Sequence, residues 1–218
     1  MVQLSTDVDL LKWEPVLFRE LYQSSQTLCL GQDGVMSGTT FTSSSASFTD
    51  ARVAAGQVIY LNDGDSIDGS YEVVSKDSAT QLTLSIIRQG TDDAAVGPPE
   101  GSNISYRIST FAPQAEEMAY SLLQYFGIKA AGEEAEITAT DILNNRALRQ
   151  ASVFAVLSLV FGSSAGGRDD PAGYWQKSLH YKKMLHTARA RARLEIDTDN
   201  DGYAEQYRTG GSVRLRRL

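Results

Sequence analysis

The run Asp197-Thr198-Asp199-Asn200-Asp201-Gly202-Tyr203-Ala204-Glu205 is where residue type and spacing come closest to a defined chemistry. Three carboxylates at alternate positions precede a glycine that permits a sharp turn. Calcium takes six to eight oxygen ligands at roughly 2.3–2.6 Å, and loops of this form supply them. Asp197, Asp199 and Asp201 are the candidate metal ligands, with the backbone carbonyl of Tyr203 and the carboxylate of Glu205 completing the set. An EF-hand needs a glutamate at the twelfth position, where this chain has Arg208, so the loop is not an EF-hand. The same residues also read as an acidic turn closing a basic helix without any metal, so calcium is the one cofactor the sequence suggests and none is required.

Other reactive chemistry is sparse. The lone cysteine, Cys29, lies in the apolar run Leu28-Cys29-Leu30, where a thiol acts as a small hydrophobe. The two histidines, His180 and His186, are six residues apart and do not share a helix face. The chain carries no GxSxG, GxxxxGK[ST], dinucleotide fingerprint or HExxH motif. Glu116-Glu117 and Glu133-Glu134-Ala135-Glu136 read as helix-start or solvated carboxylates. No catalytic residue is assigned, and a non-enzymatic protein is expected.

The elements that position the acidic loop follow from hydrophobic periodicity. Residues 1–26 carry Leu10, Leu11, Val16, Leu17 and Leu21 at helical spacing, with Thr6 or Asp7 as cap and Pro15 forcing two short helices or a kink. Residues 27–110 turn to alternating and β-branched runs at intervals of about ten residues, which predicts a small antiparallel barrel or sandwich. Residues 111–196 return to helical periodicity. A helix begins near Pro113 and ends at Gly127, a capping box at Thr138–Asp141 opens a second that runs to Phe161, and a third runs from about Pro171 to Glu195. Val153, Phe154, Leu157, Val160 and Phe161 make the second helix apolar almost all round, which suits a bundle centre or packing between subunits. At 11 residues and interrupted by serines, its apolar stretch Ala151–Phe161 is well short of the ~20 needed to span a bilayer. The third helix carries Tyr181, Leu185, Ala188 and Ala192 on one face and Lys182, His186, Arg189 and Arg193 on another. Residues 197–218 hold the acidic turn, a strand at Gln206-Tyr207-Arg208, a Gly210-Gly211 joint and a C-terminal arm. The fold class expected is α+β: a helical bundle with an inserted β domain and an extended arm.

Charge divides the chain. Residues 1–174 carry 10 Lys/Arg against 22 Asp/Glu, whereas residues 175–218 carry 10 against 5. An acidic body with a basic end implies partners of different character. The arm's Val213, Arg214, Leu215, Arg216, Arg217 and Leu218 alternate apolar and basic side chains, as a segment does when it offers one face to a partner.

A long Lys-, Arg- and Tyr-rich helix, a DxDxDG turn and a short basic–apolar arm together resemble the C-terminal part of head-to-tail adaptor (connector, or neck) proteins of tailed bacteriophages. The resemblance covers roughly Tyr174–Leu218 and the apolar helix before it; the β zone departs from the small all-helical adaptors and is similar to an insertion carried by larger neck proteins. The resemblance implies a structural virion protein assembled in the host cytoplasm. It implies a homo-oligomeric ring, usually dodecameric, that binds the portal through the arm and meets a tail or tail-completion protein. DNA passes through the lumen without sequence-specific binding, and no membrane is involved. An acidic body suits such a channel, because like charge discourages phosphate sticking. Two alternatives remain at this stage: a calcium-dependent glycan- or protein-binding module, and a DNA-binding protein using Lys182, Lys183, Arg189, Arg191 and Arg193.

Overall fold

A computed structural model describes residues 4–128, 137–165 and 173–210. These form two compact units, one comprising residues 6–112 and the other residues 1–5 with 113–218.

The first unit opens with two short helices, α1 (Asp7–Leu11) and α2 (Leu17–Glu20), separated at Pro15 as proline sterics require. Thr6 caps α1 in a capping box with Asp9. Six strands follow: β1 (Thr27–Ser37), β2 (Thr40–Thr42), β3 (Val58–Asn62), β4 (Asp68–Lys76), β5 (Gln81–Ser85) and β6 (Gly101–Ser109). They close an antiparallel barrel in the order β1-β2-β5-β4-β3-β6. The α+β class is therefore present, and the choice between barrel and sandwich is settled as a closed barrel. Closure leaves the strands without open edges. Phe41, Phe48, Ile59, Leu61, Leu82, Leu84, Ile104 and Ile108 are wholly buried inside it. Tyr106 meets the Phe41 ring edge-on at 5.2 Å.

Periodicity placed residues 1–26 with the bundle, but α1 and α2 belong to the barrel's unit and pack on β3 and β4. With five and four residues, each is too short to offer a bundle a full apolar stripe. Arg107 helps hold the second: its guanidinium lies 3.6 Å from the Tyr22 ring centroid and donates to the Phe18 carbonyl at 2.8 Å. The serine- and threonine-rich stretch of residues 39–49 supplies only β2 and then wraps one carboxylate. Asp33 accepts from the hydroxyls of Ser43, Ser44 and Ser45 and from the Ser45 amide, which holds its carboxyl far below the usual range.

Asp7 is buried and accepts hydrogen bonds from Thr110 Oγ1 (2.7 Å) and the Phe111 amide (2.8 Å). Burial pushes its carboxyl up to about 6, outweighing those two bonds. The folded state therefore holds this proton more tightly than the unfolded chain does. The resulting stability is complete below the ordinary carboxyl value of 3.8 and is lost as pH rises through about 6. Asp7→Asn removes this titration. Urea denaturation near pH 4 and near pH 7 is expected to show the variant gaining about 2 kcal/mol relative to wild type at the higher pH. An unchanged difference between the two pH values would contradict the assignment.

In the second unit, α3 spans Ala112–Tyr125, α4 Arg149–Ser164 and α5 Tyr174–Arg191, followed by strands β7 (Arg193–Ile196) and β8 (Gln206–Thr209). The capping box at Thr138–Asp141 forms but opens only one 3-10 turn, because Ile142 leaves the helical path to bridge Ile196. A second 3-10 turn, Asn145–Leu148, leads into α4. The expected third helix likewise stops at Arg191, and its last residues become β7. The helical run Asn145–Ser164 reaches 20 residues, longer than the apolar stretch suggested, and its length and composition would allow a membrane span. However, Val153, Phe154, Leu157, Val160 and Phe161 are buried by the chain's own residues and need no second subunit to cover them. α4 packs on α5: Phe161 stacks on Tyr174 and Tyr181 at 5.7 and 5.9 Å, and Ser158 and Ser178 exchange hydroxyl-to-carbonyl hydrogen bonds. These bonds explain why serine is tolerated in so apolar a helix.

Candidate functional site

α5 passes directly into β7, and β7 pairs with β8 from Arg193↔Thr209 to Ile196↔Gln206. The acidic run is therefore the loop of a β-hairpin, not a turn that ends a helix. The amide of Glu205 donates to the Ile196 carbonyl (3.0 Å), closing the hairpin, and the Asp197 amide donates to the Asp141 carbonyl (2.8 Å). Leu194 and Ile196 point into the core with Leu122, Leu123, Phe126 and Leu148. The loop thus stands on a packed base.

Within the loop each carboxylate serves the turn. Asp197 Oδ2 accepts from the Gly202 amide (2.8 Å), Asp199 Oδ1 from the Asp201 amide (3.3 Å) and Asp201 Oδ1 from the Tyr203 amide (2.8 Å). Glu205 Oε2 accepts from the Thr198 amide and hydroxyl. Asn200 and Gly202 adopt positive φ of 60° and 90°, the conformation that brings alternate carboxylates to one side. As a result Asp197, Asp199, Asp201 and Glu205 each offer one oxygen to a common space, all within 4.8 Å of one another. The other three are exposed, but Asp197 is only 4% exposed, and its Oδ1 is buried with no hydrogen-bond partner among the described residues. An unmet buried acceptor costs roughly 1–3 kcal/mol, and more when charged. Desolvation, followed by the charges of Asp201, Glu205 and Asp197, pushes the Asp199 carboxyl up. Four of the five sequence-assigned ligands are thus brought together by their side chains. Tyr203 lies in the same loop, with its ring largely exposed. Arg208, at the position where an EF-hand has its glutamate, instead donates to the Phe126 carbonyl at the end of α3 (3.1 Å).

The basic face of α5 separates into two uses. Lys182 and His186 are exposed. The Arg189 guanidinium lies 4.2 Å from the Tyr125 ring centroid and Arg193 lies 4.2 Å from that of Tyr207. Two of the five cations proposed for DNA binding therefore stack on tyrosines of their own chain. His180 is exposed at the edge of Tyr181, and His186 shares a 2.9 Å contact with Arg189, so the histidines form no pair. A groove of about 330 Å³ between α4 and α5 is lined by Gln150, Phe154, His180, Lys183, Thr187 and Arg191 among others. Among the described residues, no carboxylate or thiol lines it.

Sequence reasoning missed how the arm is rooted. Tyr125 Oη donates to the Gly210 carbonyl (2.7 Å), and the Gly210 amide donates to the Ala192 carbonyl (3.2 Å). A Cβ at position 210 would sit 1.7 Å from the Arg189 carbonyl oxygen. Gly210 is accordingly a close-packing residue pinned against the end of α5, not a free joint. The arm residues Val213, Arg214, Leu215, Arg216, Arg217 and Leu218 lie outside the described residues.

Compared with known proteins, the chain matches no family model, no curated protein and no solved structure.

Proposed function

We propose that this chain is a non-enzymatic subunit of a phage head-to-tail adaptor ring, placed between portal and tail with DNA passing through its lumen. The observation that carries the reading is the continuity of the C-terminal unit. The basic helix α5, the acidic hairpin and the root of the arm are one covalent and hydrogen-bonded series, ending at a pinned Gly210. A rigid root lets a short arm leave the body at a defined point. The eight residues beyond it, from Gly211 to Leu218, carry three aliphatic and three basic side chains.

The energetics favour many arms acting together. Ordering a residue costs roughly 1–2 kcal/mol of backbone entropy, while burying an aliphatic side chain returns roughly 1.5–3 kcal/mol. One arm therefore binds its partner weakly. In a ring, later arms dock at high effective concentration, and the assembly holds firmly. The net negative charge of residues 1–174 suits a wall past which DNA must slide. Electron microscopy of the purified chain mixed with its portal tests the reading: a closed ring of copies seated on the portal is the expected image.

A further inference from the structure

We propose that the β7–β8 hairpin loop binds a single calcium ion through Asp197, Asp199, Asp201 and Glu205, with the Tyr203 carbonyl as a further oxygen, and that the ion stiffens the hairpin from which the C-terminal arm departs. This inference goes beyond the adaptor reading and does not depend on it. Its first support is spacing: ligands on opposite sides of a calcium ion, each at roughly 2.3–2.6 Å, are about 5 Å apart, and the four carboxylate oxygens lie within 4.8 Å of one another. Its second, independent support is the Asp197 carboxylate. It is only 4% exposed in the hairpin's base, yet among the described residues Oδ1 has no donor. A bound cation supplies what that oxygen lacks. A third feature is the division of labour within the loop: Asp197, Asp199 and Asp201 each engage one backbone amide with one oxygen, and Glu205 caps Thr198, so the loop is shaped before the ion arrives. The oxygen-only donor set, on a loop with positive φ at Asn200 and Gly202, favours calcium over softer metals and over magnesium, which demands tighter octahedral geometry.

Calcium acts here as a brace, since β8 runs from the loop to Gly210 in four residues. The test uses the full chain. Terbium is titrated with excitation of tyrosine, because Tyr203 lies in the loop, and calcium is then used to displace it. Melting is compared in millimolar calcium and in EGTA. Wild type is expected to give sensitised terbium emission that calcium abolishes, and a melting temperature higher in calcium by roughly 3–6 °C. Asp199→Asn and Asp201→Asn are expected to match wild type by far-UV circular dichroism in EGTA, and to bind at least about tenfold more weakly. Absence of emission and of any calcium-dependent melting shift in wild type would overturn the proposal. So would folded variants that bind as tightly as wild type. Portal docking is not read in this experiment, so either outcome leaves the adaptor reading to its own test.

Discussion

Gly210→Ala is expected to destabilise the helical unit by roughly 3 kcal/mol, as read from the shift in urea midpoint at constant slope. The added Cβ would fall 1.7 Å from the Arg189 carbonyl oxygen, and neither side of that contact can yield cheaply. Arg189 belongs to the last turn of α5, whose carbonyls also cap Ala192. Gly210 follows β8 directly and is held by two hydrogen bonds, from Tyr125 and to Ala192. Relieving the clash means giving up both. Tyr125→Phe, which deletes only the Oη donor and keeps the ring under Arg189, provides the graded comparison and should cost about 1 kcal/mol. Wild-type stability in Gly210→Ala would show that the arm's root is not held as described.

Deleting Gly211–Leu218 is expected to do the reverse: no loss of folding, and loss of partner binding. The described residues by themselves fill two hydrophobic core clusters, which makes a folded, soluble product the expected outcome. The deletion removes Val213, Leu215 and Leu218 together with Arg214, Arg216 and Arg217, the whole proposed docking chemistry. Because the proposed ring docking would multiply many weak contacts, removing every arm should reduce cosedimentation with a portal protein to background, not merely weaken it. Unchanged melting with abolished cosedimentation is the expected pair of results. Retained cosedimentation would rule out the arm as the docking element.

Much of the fold was legible because its signals were local. Pro15 divides α1 from α2, alternation begins at Thr27 where β1 begins, and Gln206-Tyr207-Arg208 is a strand in the structure as in the pattern. The acidic loop was legible for the same reason, since alternate carboxylates followed by glycine converge through short-range turn geometry. Long-range pairing was not legible. Thr138–Asp141 carries a helix-start signature, but Ile142 finds Ile196, and sheet pairing with β7 ends the turn there. Arg193–Ile196 is built of good helix formers, yet its alternating burial, with Leu194 and Ile196 inside, makes it a strand. Gly210-Gly211 read as a hinge because sequence shows glycine's freedom and not its neighbours; the Arg189 carbonyl that requires a glycine there is 21 positions away. The serine-rich stretch gave no sign that Asp33 gathers it, for similar reasons.

Direct imaging of the chain with a tailed-phage portal protein bears most immediately on the proposed adaptor role. Negative-stain electron microscopy of the two purified proteins is expected to show a closed ring of this chain seated coaxially on the portal. Copies that remain monomeric beside unoccupied portals, under conditions where the chain is folded and calcium is present, would contradict the account.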